Sequence, residues 1–188
     1  MNFIARVCFL VISFSLAGCN YSKIYVSGDT LHFETKVSKE NIDDALLTAD
    51  KSDTKITKII INSSGGDVES GIRFGHWIYD NNLSLIVKRK CLSPCANYFF
   101  TASKDVLVLK GALVGWHGGA TQFDFIAPDT LTEVERFEWE SNLNKMKRLE
   151  NDFFNKVEID QMITVFGQFD NYKRLKEAKN CDPEIYKG

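Results

Sequence analysis

Nothing in the first inspection of this 188-residue sequence supplies a membrane-spanning helix: its most apolar run, Val7 to Leu16, is only about ten residues, half of what a bilayer core requires. Positive charge is not in excess either. Twenty-three Lys and Arg stand against 25 Asp and Glu, a formal net charge of −2, which leaves no electrostatic footprint for nucleic acid. There is no Gly-x-Ser-x-Gly element, so the nucleophile turn of an ordinary α/β-hydrolase is missing. Internal repeats, low-complexity tracts and domain linkers are absent from the sequence, and its length fits one globular domain. Metal-ligand spacing is lacking as well: Cys91 and Cys95 form a C-x₃-C pair with no further ligands at useful distance along the chain. No metal and no cofactor are expected.

What is present begins with a targeting segment. Arg6 supplies one positive charge, the apolar run follows, and it ends in Leu16-Ala17-Gly18-Cys19. That length suits a signal peptide. The terminal tetrapeptide looks like a bacterial lipobox, which implies lipidation of Cys19 as residue one of the mature chain, each buried CH₂ of its acyl chains contributing ~0.8 kcal/mol of membrane binding. Asn20 rather than Asp after the cysteine favours, by the same resemblance, the outer membrane on its periplasmic side. The expected organisation is a signal peptide over 1–18, a polar tether over 19–30 and one domain over 31–188. Loss of residues 1–18 removes Arg6 and brings the net charge to −3. Cys91, Cys95 and Cys181 then remain in an oxidising compartment, and an odd number allows at most one internal bridge.

The domain alternates in character. Leu31 to Thr35 predicts a strand. Ser38 to Asp50 predicts a helix capped by Ser38 or Asn41, with Ile42, Ala45, Leu46 and Ala49 on one face. Ile56 to Ile61 is a β-branched run suited to a buried strand, broken at Asn62-Ser-Ser-Gly-Gly66. A helix from Asp67 to about Asn81 follows, with Val68, Gly71, Ile72, Gly75 and Ile78 as its apolar face. Leu83–Val87 reads as a strand, Pro94–Ala102 as a short helix, and 106–109 and 112–114 as two strands around Gly111. From Thr130 the chain turns helical. Thr130 and Glu133 have capping-box spacing, and Val134, Phe137, Met146, Leu149 and Phe153 define a long amphipathic helix. Strands alternating with helices, then a helical tail, give an α/β class with a largely parallel sheet.

Three segments sit just past predicted strands, where open α/β sheets place ligands. Gly65-Gly66 bares backbone N–H groups at a strand-to-helix junction, which suits an oxyanion as well as a plain turn. Ser93, in Cys91-Leu-Ser-Pro-Cys95, occupies a strand–helix elbow, as an exposed nucleophile must. Ser followed by Pro is also ordinary helix-start chemistry. His117, in Gly115-Trp-His-Gly-Gly119, is a base candidate at a strand end, though a lone histidine is as readily structural. Cys91 and Cys95 can meet across a helix-start turn, at the ~4.4–6.8 Å Cα separation of a disulfide. A metal pair and a thiol nucleophile are the alternatives. Cys181 would stay free or pair between chains.

Taken together, the order glycine loop, serine, histidine resembles the ClpP-type serine peptidases of the crotonase-like superfamily. INSSGG with DVESGIRFGHWIYD is similar to that family's glycine loop and following helix. CLSPCANYFFTAS is similar to its serine segment, and LVGWHGG to the segment bearing its general base. The resemblance spans roughly Leu31 to Met146. It implies a repeated β-β-α, parallel-sheet core with a helical C-terminal region, and peptide hydrolysis without a cofactor. Ser93 would be the nucleophile, His117 the base, and the N–H groups of Gly66 and Gly65 the oxyanion contacts. An aspartate from the C-terminal region would orient the base; Asp170 is the first choice and Asp160 the second. The implied partners are a peptide or unfolded protein and, since the family forms rings, further copies of the chain. Pro94 departs from the pattern, because the residue after the nucleophile donates an N–H to the oxyanion in that family and proline has none. A binding or assembly module with impaired catalysis is the competing expectation. Acyl-CoA chemistry, which the superfamily also hosts, is disfavoured by the envelope location.

Overall fold

The structure, a computed structural model, describes residues 23–122 and 125–166. Six strands form one sheet in the order β1-β2-β3-β4-β5, with β6 also on β4. β1 (Ile24–Ser27) and β2 (Thr30–Phe33) are antiparallel, and every other pairing is parallel. α1 (Lys39–Asp50) joins β2 to β3 (Lys58–Ser63), and α2 (Val68–Asp80) joins β3 to β4 (Ser84–Leu92). A π-helical segment, Cys95–Phe100, leads from β4 to β5 (Val106–Val108) and β6 (Leu113–Gly115). α3 (Glu133–Val157) and a 3₁₀ turn (Gln161–Thr164) complete the chain's described part. This is the α/β class with a mainly parallel sheet that the pattern predicts.

The core follows from the residue types. Ile59, Ile61, Leu85 and Val87 are fully or almost fully buried on adjacent parallel strands, as a near-continuous β-branched run requires. Ser38 and Asp67 cap α1 and α2 by accepting from the Asn41 and Ser70 N–H groups. Phe33, Phe74 and Phe99 meet with ring centroids 4.9–6.0 Å apart and so bind β2, α2 and the π-helical segment together. Gly71 and Gly75 notch α2. A Cβ at Gly71 would lie 2.8 Å from the Tyr98 ring, and one at Gly75 would lie 2.8 Å from the Phe153 ring. The notches let the π-helical segment and α3 sit directly on α2.

Several expectations are corrected. Residues 24–27, read as part of a polar tether, form β1: Ile24 is buried and Tyr25 stacks on His32 at 4.2 Å. The apolar pattern there is too short to stand out, and pairing across the Gly28 turn supplies what the local sequence does not. The capping box lies at Thr132 and Glu135 rather than Thr130 and Glu133, because the same spacing recurs two residues later at the true helix start. α3 buries Phe153, Phe154 and Val157, but Val134 and Phe137, near its start, are 69% and 74% exposed. β4 runs to Leu92 rather than stopping at Val87, since parallel pairing with β6 continues it. Among the described residues no helix is long and apolar enough to cross a membrane.

Candidate active site

The extension of β4 decides where Ser93 falls. The strand ends at Leu92, β6 pairs with Lys90 to Leu92, and Ser93 follows as the next residue, donating its N–H to Gly115 O at 2.9 Å. The backbone then reverses into the helical segment, and the Ser93 carbonyl accepts from Asn97 N at 2.8 Å. To make that turn Ser93 adopts φ +58°, a left-handed conformation that costs an L residue roughly 1–2 kcal/mol. An ordinary N-cap serine sits in the extended region and bonds its own helix. Here the side chain instead meets His117, with Oγ 2.8 Å from Nε2. That distance is one of direct proton transfer between a hydroxyl and an imidazole.

Two covalent and steric features hold the elbow. Cys91 and Cys95, both fully buried, are joined by a disulfide with Cα atoms 5.1 Å apart. Beneath the serine lies the glycine loop: a Cβ at Gly65 would come within 2.8 Å of both Ser93 Cβ and Pro94 Cδ. Gly65 is at φ +79° and Gly66 at φ +149°. The loop is pinned from the other side, with Val37 N donating to Gly65 O at 2.9 Å and Asp67 N to Val37 O at 3.0 Å. Neither of those bonds uses the Gly66 N–H. Gly65 N–H is already committed to Ser63 Oγ at 3.2 Å. Of the two glycines, Gly66 therefore has the N–H open to an oxyanion.

His117 follows β6 and is exposed, between the partly buried Trp116 and the buried Gly118. Asn97 Nδ2 donates to Gly118 O at 2.8 Å, and Ala120 N donates to Glu150 Oε2 at 2.8 Å. Glu150 also accepts from the Tyr98 hydroxyl and, at 2.9 Å, from Gln161 Nε2. Burial, reinforced by the Glu150 carboxylate, pushes the Tyr98 phenol far above its ordinary range, so it remains a donor. The sequence reading missed Asn97, Tyr98 and Glu150. A signal for Glu150 exists: it falls on the Met146–Leu149–Phe153 stripe, where a charged residue breaks the apolar pattern.

The remaining candidates divide. Asp160 caps the 3₁₀ turn, its Oδ1 accepting from Met162 N at 2.9 Å. Asp170, Cys19 and Cys181 lie outside the described residues. Among the described residues no group of three or more His, Cys, Asp or Glu could hold a metal ion, and Cys91 and Cys95 are consumed by their bond.

No family model matches the sequence, and no curated protein matches it. Solved structures do. One is a mutant ClpP1 from Listeria monocytogenes, at 18% identity and TM-score 0.43 over 72% of this chain and 76% of that one. Another is a peptidase from Plasmodium falciparum, at 14% identity and TM-score 0.45 over 70% and 79%. A third, the ClpP protease catalytic domain from Plasmodium falciparum, has 18% identity and TM-score 0.36 over 66% of each chain.

Proposed function

We propose that the protein is a serine peptidase of the Clp type, held by lipidated Cys19 on the periplasmic side of the bacterial outer membrane. The observation that carries this reading is the 2.8 Å approach of Ser93 Oγ to His117 Nε2 across an elbow that places the serine at positive φ. Backbone strain of this kind clusters where geometry serves chemistry. With a proton on Nδ1, His117 accepts the hydroxyl proton at Nε2 as Ser93 Oγ attacks a peptide carbonyl. The tetrahedral oxygen meets the Gly66 N–H. His117 then returns the proton to the leaving amine, and water releases the acyl group by the same route in reverse. Asp170 is the proposed orienting carboxylate. The substrate is a peptide or an unfolded protein chain, and no cofactor takes part. Exposed Leu107, Leu113, Val134 and Phe137 support association with further copies of the chain.

One specific observation favours the second reading, a binding or assembly module with little turnover. Pro94 follows the nucleophile, is buried, and has no N–H to offer an oxyanion. Loss of one such donor costs ~2.7–4 kcal/mol in transition-state stabilisation. A fluorophosphonate probe separates the two readings. Covalent labelling of the full chain that vanishes in Ser93→Ala supports the peptidase; an unlabelled parent protein supports the binding module. Anchoring is tested by Cys19→Ser, which should release the folded protein from membranes; retention of the variant in the membrane fraction refutes the lipid anchor.

A further inference from the structure

We propose that Glu150 is a positioning residue for the Ser93–His117 pair, a buried carboxylate that ties the helix following the nucleophile to the loop following the base. The proposal rests on the reading of Ser93 and His117 as the reacting groups. Glu150 lies in the last third of α3 and is only 1% exposed. Its three donors are all uncharged: the Tyr98 hydroxyl on Oε1, and Ala120 N and Gln161 Nε2 on Oε2. A buried acidic group is stable only when its oxygens are hydrogen-bonded, and apolar residues of similar volume hold two elements together at least as well. A polar network of this kind fixes one geometry rather than adding stability.

The identity of its partners says which geometry. Tyr98 lies five residues after Ser93 and Ala120 three after His117, so one carboxylate bridges the two segments whose separation sets the Oγ–Nε2 distance. Asn97 makes the companion tie, holding Gly118 O from the same helical segment. The fit is close: a Cβ at Gly119 would lie 3.0 Å from both Glu150 oxygens and from Thr164 Oγ1. Fastening α3 to the body does not require Glu150. Phe153 seats in the Gly75 notch, and Lys145–Glu69 and Lys156–Asp80 ion pairs join α3 to α2 on the outside.

The test uses the full chain in mild detergent and compares the parent with Glu150→Ala, Glu150→Gln and Val157→Ala, the last a core change on the same helix seven residues beyond Glu150. Two quantities are read: the His117 imidazole resonances by NMR, and the fluorophosphonate labelling rate per folded molecule. Expected in Glu150→Ala are displaced or broadened His117 signals and labelling slowed about 10- to 100-fold, the cost of misplacing a reacting group by about an ångström. With a peptide substrate the loss should fall on kcat and leave KM within about threefold. Glu150→Gln keeps an acceptor for Ala120 N–H and should recover most of the rate, while Val157→Ala should lower the melting temperature with His117 and labelling unchanged. Unchanged His117 signals in Glu150→Ala, or the same shifts in Val157→Ala, overturn the positioning role. A parent that never labels refutes the peptidase reading instead, and the NMR comparison still decides whether Glu150 sets the position of His117.

Discussion

Opening the Cys91–Cys95 disulfide should cost both stability and reactivity, and the two losses have separate origins. The bridge closes a loop of five residues, since the cysteines are four apart in sequence. Loop-closure entropy for so short a ring amounts to about 2 kcal/mol at 25 °C. For a domain of this size that corresponds to a melting temperature lower by roughly 4–8 °C. The second loss is conformational. Inside the ring Ser93 holds φ +58°, a state roughly 1–2 kcal/mol above its relaxed alternatives. The ring resists the relaxation; without it, the Ser93 N–H to Gly115 O, Asn97 N–H to Ser93 O and Ser93 Oγ–His117 Nε2 bonds remain to resist it. If those bonds yield, the fraction of molecules with the serine in place falls by up to about 5- to 30-fold. The assay is a thermal melt and a fluorophosphonate labelling course on the parent, with and without a thiol reductant, beside the Cys91→Ala, Cys95→Ala double variant. Reductant should act on the parent and leave the double variant unmoved. Refutation would be a parent whose melting point and labelling rate ignore reductant although thiol titration shows the bridge has opened.

Three further outcomes follow from the same geometry. His117→Ala should abolish fluorophosphonate labelling at a stability cost under ~1 kcal/mol, because the ring is exposed and its neighbours are held by Asn97 and Glu150 rather than by it; a large drop in melting temperature would mark a structural histidine. Pro94→Ala restores an N–H beside Ser93 and should raise peptidase kcat by up to about 10²–10³-fold, while loss of ring contacts near Gly65 and Gly71 costs about 1–2 kcal/mol in a denaturant melt. A fall in kcat would show that Pro94 shapes a hole built from other donors. Gly75→Ala puts a methyl group into the space of the Phe153 ring and should destabilise by about 1–3 kcal/mol in a denaturant melt; a neutral result would mean that α3 does not seat on α2 as described.

Local chemistry made much of the fold legible. Ile59 and Ile61 announce a buried parallel strand by their β-branching, and Asp67 announces α2 because a cap and an apolar period coincide. Where reading failed, the deciding contact was remote. β1 is a strand because β2 lies beside it, and β4 continues to Leu92 because β6 arrives from more than twenty residues away. Neither neighbour is visible in the hydrophobic pattern of the segment itself.

The site divides along the same line, with a consequence for how its parts are weighed. Ser93, His117 and Gly66 carry a local mark, a reactive or flexible residue at the end of a strand, so the sequence exposes them even though 24 residues separate the serine from the histidine. Glu150 carries no such mark; it sits inside a helix, and its meaning comes from Ala120, 30 residues back, and Tyr98, 52 residues back. Yet a base is useful only while it stays within hydrogen-bond reach of its nucleophile, and His117 itself is exposed in a glycine-rich stretch. Asn97 and Glu150 add stiffness to that stretch by holding Gly118 and Ala120 behind it. The residues proposed to react are thus legible in one dimension, whereas those proposed to keep them in register are legible only in three.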